Sequence, residues 1–329
     1  MSNEPVRLSL SRRDVIRMSG GTALAAVALG TLGVTAADGA ASVPSGAPAP
    51  QGPPMRLTGS GAQLLVRDGT PYWWDSPDIW AVPGTDPNGA AGQPIAGDIA
   101  YVWARVENTG LDDAFGVQVR FYWADPSTQM LFSTINLIGT AYADIPAGAT
   151  QDVLCLVPWS VVFVNGGHEC LVAVASMPGD PPLPDQVDPP AYPNVAQRNL
   201  TVFNALKSDF HLMLAVGGGQ REGQRVRLTA EIGDELAKEA LATLGVKQAR
   251  PVAKPQFRVG LSLKPATEPG GDIGEPVLDV TVPPGRSVAV YVTVRATGRL
   301  GPDEYQLLRV VERQNKRVLG GVSLVGIAE

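Results

Sequence analysis

Tyr72 to Trp80 (Y-W-W-D-S-P-D-I-W) is the one stretch where residue type and spacing point to chemistry. Four rings (Tyr72, Trp73, Trp74, Trp80) stand beside two carboxylates, Asp75 and Asp78. Aromatic faces stack on the C–H faces of sugar rings, and carboxylates accept hydrogens from hydroxyl groups. These six residues are therefore the candidate ligand-binding site, with a polysaccharide or another envelope protein as partner. The competing use of the same residues is structural, because tryptophan is mostly buried in folded domains. If the segment is a strand, alternation sends Trp73 and Trp74 to opposite faces, so at most one of them is a surface anchor.

The other reactive side chains form no catalytic pattern. A nucleophile–base pair needs a Ser or Cys near a His. The two histidines, His168 and His211, fall in a turn-to-strand junction and in an alternating run. Gly320 to Gly326 (G-G-V-S-L-V-G) surrounds Ser323 with a strand pattern, not the spacing of a nucleophile elbow. Gly217 to Gly219 lacks the following Lys-Ser/Thr of a phosphate-binding loop. The acidic turns Asp86 to Gly89 and Asp112–Asp113 lack the ligand spacing of a calcium loop and read as solvated carboxylates. No catalytic residue, metal site or cofactor is assigned. Cys155 and Cys170 are a candidate disulfide. If the runs before and after W-S-V-V-F-V-N-G-G form a hairpin, positions summing to 325 face each other, and these two satisfy that sum. Two buried thiols acting as small hydrophobes are the alternative.

The elements that must position these residues are strands. The chain has 329 residues, 37 Gly and 29 Pro, a content that favours short strands joined by turns. Its net charge of −6 argues against nucleic acid as a partner. All six tryptophans lie between Trp73 and Trp159, and no lysine precedes Lys207. Two halves this different read as two domains, 55–204 and 205–329, each large enough for its own core. In the first, Tyr101, Trp103 and Arg105 alternate with Val102, Ala104 and Val106. Val117, Val119, Phe121 and Trp123 alternate with Gln118, Arg120 and Tyr122 in the same way. Further strands are expected at Ala62–Arg67, Ile79–Val82, Phe132–Tyr142, Asp152–Val157, Glu169–Ser176 and Leu200–Phe203. In the second half, Phe210–Val216, Arg225–Glu231, Phe257–Leu263, Val277–Val282, Ser287–Val294, Tyr305–Val311 and Arg317–Val325 read as strands. Gly233 to Leu244 carries apolar residues at helical spacing. The fold class is mainly β: two antiparallel, immunoglobulin-like β-sandwich domains, with one short helix in the second.

The N-terminus carries an address. Ser11, Arg12, Arg13 and Arg17 stand in S-R-R-D-V-I-R, followed by an uncharged run from Met18 to Thr35 and small residues around Ala36 and Ala41. This resembles a twin-arginine (Tat) signal peptide, over residues 1–41, with Val15 where that signal prefers Phe. The resemblance implies the Tat export machinery as a partner and an extracellular, cell-surface or periplasmic destination. Residues 42–54 are a Pro-rich linker. No second apolar run reaches spanning length, so no membrane span is expected in the mature protein.

Between Asp98 and Val174 the runs Y-V-W-A-R-V-E-N-T-G, A-F-G-V-Q-V-R-F-Y-W and I-G-T-A-Y-A-D-I-P-A-G-A-T-Q-D-V resemble the cell-adhesion-related domain found in bacteria (CARDB). The shared features are an N-x-G turn between two long strands and a P-A-G turn before a later one. The resemblance implies an immunoglobulin-like sandwich and a surface or extracytoplasmic role, and it transfers no active site. The expected function is that of an exported, non-catalytic β protein serving adhesion, binding or structure. The alternatives are a carbohydrate-binding accessory protein and an exported hydrolase with unrecognised catalytic residues.

Overall fold

The computed structural model describes residues 61–162, 169–204, 209–217, 222–266 and 270–328. The signal residues Ser11, Arg12, Arg13 and Arg17, the linker and His168 lie outside the described residues.

The alternating runs become strands, and their buried faces meet in two sandwiches. In the first, β3 (Ile99–Asn108) is the centre of one sheet. It is flanked on one edge by β1 (Leu64–Leu65) and β2 (Ile79–Pro83), and on the other by β6 (Thr150–Leu154) and β7 (Trp159–Ser160). The facing sheet runs β5 (Asn136–Ile145), β4 (Ala114–Ala124), β8 (Cys170–Ser176), β9 (Val195–Arg198). Val102, Ala104 and Val106 from β3 meet Val117, Val119 and Phe121 from β4 in the core between them. The turn joining β3 to β4 is fixed by Asn108, whose Oδ1 accepts from the amides of Gln63 and Gly110.

The outer face of the β4 sheet departs from simple alternation. Tyr122, on the face opposite Val117, Val119 and Phe121, is buried in a second apolar cluster with Cys170, Val172, Val174, Met130 and Val187. The loops after β4 and β8 fold back over the sheet, so β8 is buried on both faces.

In the second sandwich, β11 (Phe210–Val216), β16 (Val288–Ala296) and β14 (Phe257–Ser262) form a three-stranded sheet. It packs on a larger one ordered β10 (Leu200–Asn204), β18 (Arg317–Ile327), β17 (Glu304–Gln314), β12 (Gln224–Ile232), β15 (Val277–Val282), with β13 (Arg250–Pro251) beside β17. Leu212, Leu214, Val290 and Val292 meet Leu308, Val310, Val322 and Leu324 between the sheets.

Three expectations are corrected. Leu200–Phe203 is not the last strand of the first sandwich. It pairs in parallel with β18, and the unforeseen β9 closes the first sandwich instead, so the chain crosses at Asn199. The helix is shorter than 233–244: α1 spans Lys238–Thr243. The Gly233 amide continues a strand-like bond to Leu307 and the Leu236 amide donates to Tyr305 Oη, which takes the first expected turn out of the helix. Leu236, Leu241 and Leu244 still pack together, against Tyr305, Leu307 and Val325.

The third correction concerns the cysteines, which are not joined. The hairpin that would pair them does not form. Cys155 lies alongside β3, its amide bonded to the Val102 carbonyl, whereas Cys170 sits in the other sheet opposite Ala124. Both are buried, and burial pushes both thiols up from their ordinary value.

Candidate functional site

The Tyr72–Trp80 segment is built from turns, so period-two alternation does not govern it. Its two ends have different surroundings. The first end enters a seam between the sandwiches, which belong to one compact unit. Trp73 and Trp74 are both buried, their rings edge to face with centroids 5.5 Å apart. Trp74 Nε1 donates to Ser323 Oγ at 3.1 Å, and Ser323 Oγ donates to Asp75 Oδ2 at 2.8 Å. Arg309 stacks its guanidinium 3.6 Å above the Tyr72 ring and reaches Asp75 with Nε at 3.4 Å.

Ser323 and Arg309 come from β18 and β17 of the second sandwich. Sequence reasoning did not assign either to this site. A legible signal did exist, because paired glycines inside a strand mark close approach by another part of the chain. A Cβ on Gly320 would overlap the Thr128 carbonyl, and one on Gly321 would overlap the Trp74 ring.

Further polar groups complete the seam. Glu312 of β17 is fully buried, accepting from Thr128 Oγ1 and from Gln129 Nε2 at 2.9 Å. Asn199, at the crossing, donates through Nδ2 to the Ser127 carbonyl at 2.9 Å and to the Gly321 carbonyl at 2.8 Å. Arg198 donates to the Ile79 carbonyl and to Thr243 Oγ1 of α1. Burial pulls the Arg198 guanidinium down to about 10, and it pushes Glu312 above the ordinary carboxylate range.

Asp75 is pushed up to about 6 by burial, despite its arginine neighbour. The geometry explains why desolvation wins. Arg309 presents its flat face to Tyr72 and only its Nε to Asp75, at the long end of hydrogen bonding, and Asp75 Oδ1 has no hydrogen-bond partner.

The other end of the segment faces outward. Asp78 is buried and paired with Arg67, whose Nη2 lies 2.6 Å from Oδ1. Trp80 is half-buried on the outer face of the first sandwich, directly across from Trp103 on β3. Their ring planes lie within 3° of parallel, with centroids 6.0 Å apart. Trp103 Nε1 donates to the Pro87 carbonyl. Two residues along β3, Arg105 holds Asp152 of β6 through two bonds of 2.7 and 2.9 Å, and its guanidinium carbon is 5.7 Å from the Trp80 ring centre. Arg67, Asp78, Arg105, Glu107, Gln151 and Asp152 line an open depression of about 700 Å³.

Of the six expected ligand-binding residues, then, Trp73, Trp74 and Asp75 are sealed into the seam. Tyr72 lies beneath Arg309, Asp78 anchors Arg67, and Trp80 remains on an open face. His211 is exposed on β11 with Nδ1 3.2 Å from Thr293 Oγ1. Among the described residues no group of three or more His, Cys, Asp or Glu is placed to hold a metal ion. Nor is any described helix long and apolar enough to cross a membrane.

No protein-family model and no curated protein matches the chain. Among solved structures it is similar to CBD12 from CALX1.2, at 10% identity and a TM-score of 0.19, over 66% of this chain and 76% of that one. It is also similar to the calcium binding domain CBD12 of CALX1.1, at 13% identity and a TM-score of 0.17, over 65% and 74%. The secreted serine protease VesC from Vibrio cholerae matches at 10% identity and a TM-score of 0.18, over 74% of this chain and 48% of that one. These matches assign the chain to no family.

Proposed function

We propose that the chain is a twin-arginine-exported, non-catalytic β protein that works at the cell surface or in the periplasm as a binding or structural module. The observation that carries this reading is the fate of the Tyr72–Trp80 segment. Its aromatic and acidic groups, the richest chemistry in the sequence, hold two sandwiches together through Trp74, Asp75, Ser323 and Arg309. A body stiffened in this way holds its own surfaces in one arrangement, which suits an accessory or adhesive role at the end of a tether. The Pro-rich residues 42–54 suit the tether. The S-R-R-D-V-I-R run supports export through the twin-arginine route.

The test is export of the full precursor with Arg12→Lys and Arg13→Lys together. The expected result is precursor trapped in the cytoplasm, because the receptor reads the paired guanidinium groups. Undiminished export of that variant would move the protein to the general secretory route. A second reading, carbohydrate binding, is favoured by the outward Trp80–Trp103 pair.

A further inference from the structure

The outer face of the β3 sheet combines an aromatic surface with a polar depression, and the two share Arg105. Trp80 and Trp103 occupy one rung across β2 and β3, with the half-buried Leu154 of β6 on the same rung. The next rung on that face is Arg105 with Asp152, and the one after is Glu107 with Thr150. Beside them Arg67 meets Asp78.

The charges decide what such a surface takes. Each arginine is already matched by a carboxylate, Arg105 by Asp152 and Arg67 by Asp78. An anionic ligand would have to break one of these pairs, leave its carboxylate uncompensated and face Glu107 as well. A neutral ligand rich in hydroxyl groups breaks neither. It accepts hydrogens from the guanidinium groups and donates to Asp152, since the side chains of Arg67, Arg105 and Asp152 are 47%, 41% and 39% exposed, whereas the buried Asp78 only holds Arg67 in place. The parallel, half-buried rings of Trp80 and Trp103 are the aromatic surface against which C–H groups would pack. Hydroxyls on the edges of a ring and C–H groups on its faces are the surface of a pyranose.

We infer that the Trp80–Trp103 rung and the Arg67–Asp78–Arg105–Asp152 depression together form a binding site for a neutral polysaccharide. Trp80 and Trp103 stack on sugar rings, and Arg105 and Asp152 select for uncharged hydroxyls. This site deepens the carbohydrate-binding reading, and the buried Trp73 and Trp74 take no part in it.

The experiment is affinity electrophoresis of the full chain in gels holding one polysaccharide each: hydroxyethylcellulose, laminarin, arabinoxylan, galactomannan, dextran and, as the anionic control, polygalacturonate. The expected result is retardation by at least one neutral polymer, unchanged when salt is raised, and none by polygalacturonate. Trp80→Ala and, independently, Arg105→Gln should each weaken that retardation tenfold or more. Their circular dichroism and thermal midpoints check that both fold; Arg105→Gln, on an exposed side chain, keeps the test sound if Trp80→Ala does not. Retardation by polygalacturonate alone, by no polymer, or equally for wild type and both variants overturns the site. Export of the precursor carrying Arg12→Lys and Arg13→Lys is a separate readout, so loss of the export proposal and loss of the sugar site are told apart.

Discussion

Trp74 and Trp80 stand six positions apart, are the same residue type and begin from the same short motif, yet they do different work. Trp74 is wholly buried, edge to face with two other rings, its Nε1 bonded to a strand of the other sandwich. Trp80 lies half-buried on a sheet face, parallel to one partner. What separates them is what the opposite surface offers. β18 presents Gly321 against the ring and Ser323 to its Nε1, which together make a slot with a hydrogen-bond acceptor at its end, while Gly320 beside them lets the Thr128 backbone approach. The face around Trp80 is bordered by ion pairs that keep water near. An aromatic cluster in a sequence is therefore not one object. The surface each ring meets decides whether it locks or binds.

The largest effect is expected where that slot is filled. Changing Gly320 and Gly321 together to Ala places Cβ atoms into the Thr128 carbonyl and the Trp74 ring. The first obstacle is backbone, which no side-chain rotation relieves. The cost should reach about 5 kcal/mol, beyond ordinary overpacking because two overlaps combine. The urea midpoint should fall sharply and Trp74 fluorescence should shift to the red. An unchanged midpoint would mean that the seam is not closely packed at these glycines.

Next in size is the direct contrast between the tryptophans. Trp74→Ala removes a fully buried ring and leaves Ser323 Oγ without its indole donor in the seam, a loss of about 3–5 kcal/mol. Trp80→Ala removes one half-exposed member of a cross-strand pair, a loss of about 1 kcal/mol. Equal losses, measured by urea unfolding, would erase the distinction between the two ends.

Much of the fold was legible before the structure. Phe210–Val216 and Val277–Val282 coincide end to end with β11 and β15, because alternation of apolar and polar residues is a local property of a strand. Which strands share a sheet is not local, and that is where the reading failed. Leu200–Phe203 looks like its neighbours in sequence, and only its parallel partner on β18 assigns it to the second sandwich. The disulfide failed for the same reason, since a register sum presumes a pairing that β4 takes instead. The site was half legible. Residue types pointed to Tyr72–Trp80, but Trp103, Arg105 and Asp152 join Trp80 only through the pairing of β2, β3 and β6.

The seam should also respond to pH, by a smaller amount. Asp75 stands near 6 in the folded chain against an ordinary value of 3.8, so the folded form binds the extra proton between those values. Its contribution is fully present below about pH 4 and is lost as pH rises through 6. The shift corresponds to a decline of up to about 3 kcal/mol between pH 4 and pH 7. Glu312, raised by burial, acts in the same direction. Asp209 beside Arg295 is lowered and acts oppositely, but only as pH falls below the ordinary carboxylate range. Urea midpoints at intervals from pH 4 to pH 7.5 should therefore fall with pH, and Asp75→Asn should flatten most of that slope. A slope of the opposite sign would place Asp75 as a well-paired carboxylate, with Arg309 outweighing burial.

The smallest effect is expected at the ion pair that looks best on geometry alone. Arg227 on β12 grips Asp279 on β15 through two bonds of 2.8 and 2.9 Å, shorter than the 3.4 Å contact of Arg309 with Asp75. Distance would rank Arg227–Asp279 first. Solvent reverses that order, because these side chains are 61% and 54% exposed while Arg309 and Asp75 are each 6% exposed. Exposed charges are screened by water and salt, and ordering two long side chains offsets most of what remains. Arg227→Gln should leave the thermal midpoint unmoved at low and at high salt. Arg105→Gln, which breaks a pair of the same bidentate form on the sugar-binding face, should do the same to stability while losing the polysaccharide. If Arg227→Gln destabilised the chain as much as Trp74→Ala does, bond geometry rather than burial would set the energies of both regions, and the division between a locking end and a binding end would fail.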